Sequence, residues 1–408
     1  MAVVGTTAYA RVLRHRALVA LLVSHGIATV AQQVVVLAAG AFVLSRTDSP
    51  IWTSITVALG YAPYLLLSAH AGGLADRHSR ATVMRWSAVA RAVLTGLLVT
   101  SMLAGFSTAV IVALIAATAV AATPGYPSLA AAGVQCVDDA DLPTANALTT
   151  GVENIAWVLG PGALGGLLLL GFGPAQAVGA AAVLFVAAGL VLSRVVLPLP
   201  EPGEGELLEG VWPVLRTTVR IPAIRAPMLI AVIDNLLYGY LIVALVLLVA
   251  EQETDQRLGV LTTALSVGAI ASLALVNHVG DGRRPGLTLF ALTAVFAGSL
   301  VLLGANGASP LGVGVVAVGI AGVATILIEV LCVTQLQRAT PESTHGRVIG
   351  MYDVVAVGAV AVGSLVAGVA ADAVGVRAAT VAVGAGCLLL AAVSLGLRGG
   401  TPKLASSS

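Results

Sequence analysis

A few ionisable residues sit where a chain this apolar should tolerate none. Asp234 is followed by Asn235, Tyr238 and Tyr240 inside one long apolar run. Glu329 stands in Ile326-Leu327-Ile328-Glu329-Val330-Leu331, with wholly apolar neighbours. Glu153 and Asp353 each lie about two helical turns into a run of their own, His25 sits near the middle of the first run, and Arg91 is well inside another. A charged side chain at mid-bilayer costs about 2.5–3.5 kcal/mol on insertion scales, so each needs a reason. A carboxylate in such a setting can take a proton near neutral pH, and imidazole titrates there unaided. The chemistry on offer is therefore proton exchange. Each residue also has a plainer use. Asp234 can tie its helix to a neighbour, and Glu329 can face the interior neutral or paired. Glu153 and Asp353 fit an inner gate, the lower wall of a cavity, or side chains that reach to the interface. His25 can be a hydrogen-bonded packing residue. Arg91 is expected to form a buried ion pair, with Glu153 as the carboxylate of its own half.

Helical spacing puts Asp234 and Tyr238 on one face. The uncharged candidates for a cavity wall are Gln32, Gln33, Tyr61, Tyr64, Tyr126, Asn154 and Trp157 before the midpoint, and Asn235, Tyr238, Asn277 and Gln335 after it. No arginine cluster awaits a phosphate, and few fixed charges await a sugar acid, which favours an amphipathic or lipophilic substrate. A Walker A lysine is missing, as are G-x-S-x-G and H-E-x-x-H, so neither ATP-driven work nor these hydrolytic chemistries are indicated. No cofactor and no metal are expected, and the chain is not read as an enzyme. Cys136, Cys332 and Cys387 have no metal-ligand spacing and read as small hydrophobes.

The elements that must position these groups follow from composition. Of 408 residues, 58% are hydrophobic and 10% charged, against about 25% charge in soluble domains. This is an all-α polytopic membrane protein. About 20 apolar residues span a bilayer, and twelve stretches qualify: 17–44, 51–71, 81–104, 108–133, 146–170, 174–197, 226–250, 257–279, 286–304, 310–333, 348–371 and 377–397. Turn chemistry marks most breaks, as at Asp48-Ser49-Pro50 and Gly171-Phe172-Gly173-Pro174, whereas Gly105 and Ser107 mark the third break weakly. The first run is too long for a signal-peptide core. With the N-terminus in the cytoplasm, sixteen of the 20 lysines and arginines face inward, leaving Arg46, Arg257 and Arg377 outside and Arg91 within a span. Both termini are therefore expected in the cytoplasm.

The central break at 198–225 begins Pro198-Leu199-Pro200-Glu201-Pro202-Gly203 and continues with mixed apolar and basic residues. It reads as a linker carrying a surface helix on the inner leaflet, or as a solvated linker. It divides an N-terminal half, 1–197, from a C-terminal half with a short tail, 226–408. The halves look like versions of one another. His25-Gly26 and Asp234-Asn235 fall at matching depths in spans one and seven, and the loops before spans five and eleven also correspond.

Gly72-Gly73-Leu74-Ala75-Asp76-Arg77-His78-Ser79-Arg80 is a charged knot between two apolar spans. Gly72, Asp76, Arg77 and Arg80 make the pattern G-x-x-x-D-R-x-x-R, which resembles the loop between the second and third helices of the major facilitator superfamily. That resemblance covers essentially the whole chain and implies twelve helices in two pseudo-symmetric six-helix bundles, with the transport path between them. It also implies that the knot latches the halves in the outward-facing state, although the arginines alone would suit a positive-inside anchor. Asp141-Leu142-Pro143-Thr144-Ala145-Asn146, the run Gly160-Pro161-Gly162-Ala163-Leu164-Gly165-Gly166, and Pro341-Glu342 with Gly346-Arg347-Val348 resemble the enterobactin-exporter and macrolide-efflux branch. That branch often carries an acidic residue in the first span, where this chain has Ser24-His25-Gly26. The glycine-proline run resembles the motif of exporters; Gly160, Pro161, Gly162, Gly165 and Gly166 then serve as a flexing point, as tight packing, or as both.

The sequence therefore reads as a secondary exporter of a small organic compound, such as a drug, siderophore or other secondary metabolite. It would work by proton antiport and alternating access, as a monomer in a bacterial cytoplasmic membrane, with lipids but no nucleic acid as partners. The alternatives are an importer or uniporter on the same fold, a lipid flippase, and a non-transporting membrane sensor.

Overall fold

A computed structural model describes residues 8–67, 77–199, 221–250, 255–276, 285–307, 310–340 and 345–396. The first half is built from α1 (Arg16–Thr47), α2 (Pro50–Leu67), α3 (Arg80–Leu103), α4 (Thr108–Gly133), α5 (Leu142–Leu169) and α6 (Pro174–Val191). The second holds α7 (Pro222–Ala250), α8 (Asp255–Ser272), α9 (Pro285–Asn306), α10 (Leu311–Ala339), α11 (His345–Val374) and α12 (Val376–Gly396). Among the described residues, ten helices are long and apolar enough to cross a membrane; α8 and α12 fill the eighth and twelfth places. The linker residues 200–220, and with them most of the expected surface helix, lie outside the described residues.

Local chemistry explains the ends and breaks. Ser49 accepts from the Trp52 amide and Pro50 opens α2, while Asp48 takes the left-handed conformation that ends α1. Gly105, at φ 74°, makes the weakly marked turn between α3 and α4. Pro124 interrupts α4, which stops at Ala122 and resumes at Gly125. Pro161, by contrast, is carried inside a continuous α5. The sixth helix ends at Val191, short of the expected 197. The chain turns at Ser193 and then runs extended, so that Leu197 joins the core of the first half and its carbonyl accepts from Ser79.

The two halves pair their helices alike. α1 packs on α5 and α3 on α6; α7 packs on α11 and α9 on α12. Between halves the main seams are α2 on α11 and α5 on α8, each the symmetry counterpart of the other. Both seams rest on glycine. A Cβ at Gly368 would collide with Ser54 of α2, and one at Gly165 with Thr263 of α8.

Burial separates the two ends of the bundle. The far ends of α1 and α7, from Val34 to Ala39 and from Tyr240 to Val249, are buried in one core that joins both halves. At the end where α1 and α7 begin, each half has its own core. Leu18, Leu21 and Leu129 belong to one, and Ile224, Met228 and Tyr352 to the other. The halves are therefore sealed together at the far face and parted at the near face, the near face being the one where α1 starts.

Candidate functional site

Between the parted halves lies a cavity of about 1420 Å³, its open mouth included. Each contributing helix offers one stripe at helical spacing. α1 gives His25, Thr29, Gln32 and Gln33, and α5 gives Glu153, Asn154, Trp157 and Pro161. Across from them α7 gives Asp234, Asn235 and Tyr238, α10 gives Thr325 and Glu329, and α11 gives Tyr352 and Asp353. Tyr61 and Tyr64 enter from α2, Arg91 from α3, Tyr126 from α4 and Ser266 from α8. The carboxylates singled out in the sequence, with His25, thus surround one space although they come from five helices.

The first half ties its ionisable groups up. His25 Nε2 pairs with Glu153, the Thr29 hydroxyl lies 3.4 Å from the same carboxylate, and Trp157 Nε1 donates to it at 2.9 Å. Arg91 donates to the Ala28 carbonyl at 2.7 Å and to Gln32 Oε1 at 3.1 Å, with its guanidinium 4.3 Å from the centre of the Phe185 ring. The expected Arg91–Glu153 ion pair does not form. Arg91 is held by α1 acceptors and an aromatic face, while Glu153 is taken by His25, Thr29 and Trp157 on the cavity wall. The arginine is a clamp between α3 and α1 (a buried cation met by neutral acceptors). Replacing it with alanine strands the buried Gln32 Oε1, worth about 1–3 kcal/mol, and removes the second donor from the Ala28 carbonyl. Arg91→Ala is expected to lower the thermal midpoint markedly in detergent, and Arg91→Lys to recover only part of the loss, because a lysine cannot both fork and stack.

The second half leaves its acids open. Asp234 Oδ2 accepts from Thr325 at 3.0 Å, but Oδ1 is buried with no partner, and the residue is 2% exposed. Glu329 and Asp353 form no ion pair among the described residues, and both line the same cavity as Asp234. Asn235 donates to the Ala231 carbonyl of its own helix at 3.0 Å. An aromatic wall faces these acids. Tyr61 stacks on Trp157 at 5.5 Å, Tyr238 meets Trp157 edge-on at 6.5 Å, and Tyr126 lies 6.0 Å from His25. The Tyr61 hydroxyl donates to Gln33 at 2.6 Å, so α2 is pinned to α1 where Gly60 breaks the helix.

The glycine-proline run divides its work. A Cβ at Gly160 would strike Gln33 of α1, one at Gly162 would sit 2.8 Å from Ser266 of α8, and Gly165 meets α8 across the seam. Gly166 has nothing within 4 Å. The Ser266 hydroxyl donates to the Val158 carbonyl at 2.5 Å, which locks this crossing. In the charged knot, Gly72 and Asp76 lie outside the described residues. Arg77 is exposed, whereas Arg80 is buried and donates to the Ala131 carbonyl at 2.8 Å, joining α3 to the end of α4. Asn277 also lies outside the described residues, and Gln335 stands away from the cavity.

Sequence reasoning missed Thr29, Ser266, Thr325 and Tyr352. It also gave Asp141 no partner. Arg11 forks onto Asp141, with its Nε at 2.9 Å, and so fastens the segment before α1 to the start of α5 at the near face. The hydrogen bond from Arg11 holds the Asp141 carboxyl below the usual aspartate range. A carboxyl lowered in this way stabilises the fold above its ordinary pKa, and the contribution fades as pH falls through the lowered value. In thermal unfolding, Asp141→Asn is expected to cost a few degrees at most at neutral pH and nothing in strong acid.

The chain matches the model of the transmembrane secretion effector family over residues 6–408. Among curated proteins it is 27% identical to the enterobactin exporter EntS of Citrobacter koseri over 233 residues, which is 57% of this chain and 55% of that protein. It is 28% identical to EntS of Shigella boydii over the same shares. The chain therefore matches little more than half the length of each. Among solved structures it resembles the nucleoside transporter NupG, with TM-score 0.72 at 11% identity over 94% of this chain and 100% of that one. It also resembles a bacterial homolog of the human lysosomal transporter Spinster, inward-facing and unoccupied, with TM-score 0.66 at 14% identity over 94% and 97%. These are transporter folds rather than enzymes. The chain is a multi-pass membrane protein and belongs to the transmembrane secretion effector family of the major facilitator superfamily.

Proposed function

We propose that the protein exports a small organic compound from the cytoplasm by exchanging it for protons. The observation that carries this reading is the cavity between the halves. It is sealed at the far face and lined by Asp234, Glu329, Asp353 and the His25–Glu153 pair. Membership of a secretion family and the likeness to two enterobactin exporters support the outward direction. The near face, where the basic residues gather, is then cytoplasmic, and the geometry is an inward-facing state. Substrate enters between the halves, and the carboxylates hold it or hold a proton. Ionised acids in a closed apolar site are costly, so closure favours whichever occupant neutralises them. The seams α2–α11 and α5–α8 are the axes on which the halves rock.

The test is uptake of a panel of fluorescent drugs and dyes into inside-out vesicles, first with an imposed proton gradient and then with the gradient collapsed. Gradient-dependent uptake that stops on collapse is the expected result. Flux indifferent to the gradient would replace antiport by facilitated diffusion.

A further inference from the structure

We infer that the substrate is a cation: an amphipathic compound with a protonated amine at one end and an aromatic or apolar body at the other. This rests on the transport reading of the cavity and narrows it. The argument begins with how charge is divided between the walls. In the first half Glu153 pairs with His25, and Arg91 donates to Ala28 and Gln32 and lies over Phe185 with its Nε unpartnered, so that wall carries both signs of charge, each already engaged by groups of its own half. In the second half Asp234, Glu329 and Asp353 line the same cavity, and among the described residues no ion pair holds any of them. Three acids facing one space call for a positive charge, a proton or an ammonium.

A separate observation points to a bound group. Asp234 is 2% exposed, lines the cavity, and keeps Oδ1 without any hydrogen-bond partner. A buried acceptor of this kind is seldom left empty, and an ammonium N–H supplies the missing donor in its charge-assisted form. On the opposite wall Gln32, 8% exposed, has Nε2 likewise unpartnered, a donor for an oxygen on the body of the ligand. The stacked Tyr61–Trp157 pair, with Tyr238 at its edge, gives the body a flat face and adds cation–π attraction beside the acids. A catecholate or carboxylate ligand would meet three like charges. The inference therefore separates this chain from what the names of its enterobactin-exporting relatives suggest. It also makes substrate and proton rivals for the same acids, which is the condition for exchange.

The test uses one dansyl body with three tails: dansylcadaverine, which is cationic; its N-acetyl derivative, which is neutral; and dansyl-aminohexanoate, which is anionic. Each is titrated against the purified full chain in neutral detergent, at equilibrium and without a gradient, by dansyl fluorescence. The cation is expected to bind saturably and at least about ten-fold more tightly than either of the others. Asp234→Asn and, separately, Glu329→Gln should each erode that preference. The comparison of tails needs only the wild type, so a variant that fails to fold does not blunt it. Absence of saturable cation binding, or equal binding of the three tails, overturns the inference. The exporter reading fails independently: cation binding without gradient-driven flux rejects proton antiport and keeps the cation site, while gradient-driven flux of neutral or anionic compounds without cation preference does the reverse.

Discussion

Asp234→Asn is expected to abolish uphill transport while leaving the protein folded. The carboxylate is buried, bonded on one oxygen to Thr325 and open on the other to the cavity. Asparagine keeps the size and can still accept from Thr325, so the α7–α10 tie survives. What it lacks is the ability to change charge. An intramembrane acid costs about 2.5–3.5 kcal/mol when ionised and unpaired, and that difference between occupied and empty states is what a proton gradient can act on. At 1.4 kcal/mol per decade, losing it corresponds to about a 100-fold fall in gradient-driven flux. Exchange of labelled for unlabelled substrate at equal, saturating concentrations should persist, since it needs no net proton movement and saturation offsets the weaker binding expected of the variant. Gradient-driven flux that persists in Asp234→Asn would move the coupling site to Glu329, Asp353 or Glu153, and loss of exchange as well would point to binding instead.

The second large effect is expected at the α5–α8 seam. A Cβ at Gly165 would collide with Thr263 and lie 2.6 Å from the Gly259 carbonyl, while Gly166, one residue on, faces open space. Gly165→Ala and Gly166→Ala are therefore matched in chemistry and opposite in consequence. Overfilling a close helix contact costs about 1–3 kcal/mol, and here the cost falls on the state in which the far face is sealed. A shift of that size changes a two-state population by about ten- to a hundred-fold. The readout is labelling of a single cysteine placed at Leu37, within the far-face core, by an impermeant maleimide, in a background lacking Cys136, Cys332 and Cys387. Labelling should rise and flux should fall in Gly165→Ala, with Gly166→Ala unchanged. Equal behaviour of the two variants would mean that the seam is packing alone.

Much of this site could be read from the sequence because membranes make polar residues conspicuous. Asp234, Glu329, Glu153, Asp353, His25 and Arg91 stand out against apolar neighbours, and all of them line one cavity. Helix placement followed for the same reason. Pairing was less legible. Arg91 and Glu153 looked like partners because each needed neutralising, but the sequence does not reveal that Ala28, Gln32 and Phe185 offer the guanidinium a neutral seat. Thr325, Ser266 and Thr29 were missed because hydroxyls in apolar helices commonly bond to their own backbone, as Thr334 does to Val330. The small-residue face of α8 that receives Gly165 did carry a signal, since Gly259, Thr262, Thr263 and Ser266 recur at helical spacing. The Arg11–Asp141 fork joins residues far apart in the chain, and no local pattern encodes it.

The most direct test of the central claim is proton release on binding. The purified chain in weakly buffered detergent, with a pH-sensitive dye, is mixed with a compound that the vesicle assay shows to be carried. If substrate and proton share the cavity acids, binding must expel protons, and the pulse should shrink in Asp234→Asn and in Glu329→Gln. Binding with no proton release, in a wild type that transports the same compound, would contradict exchange at this site.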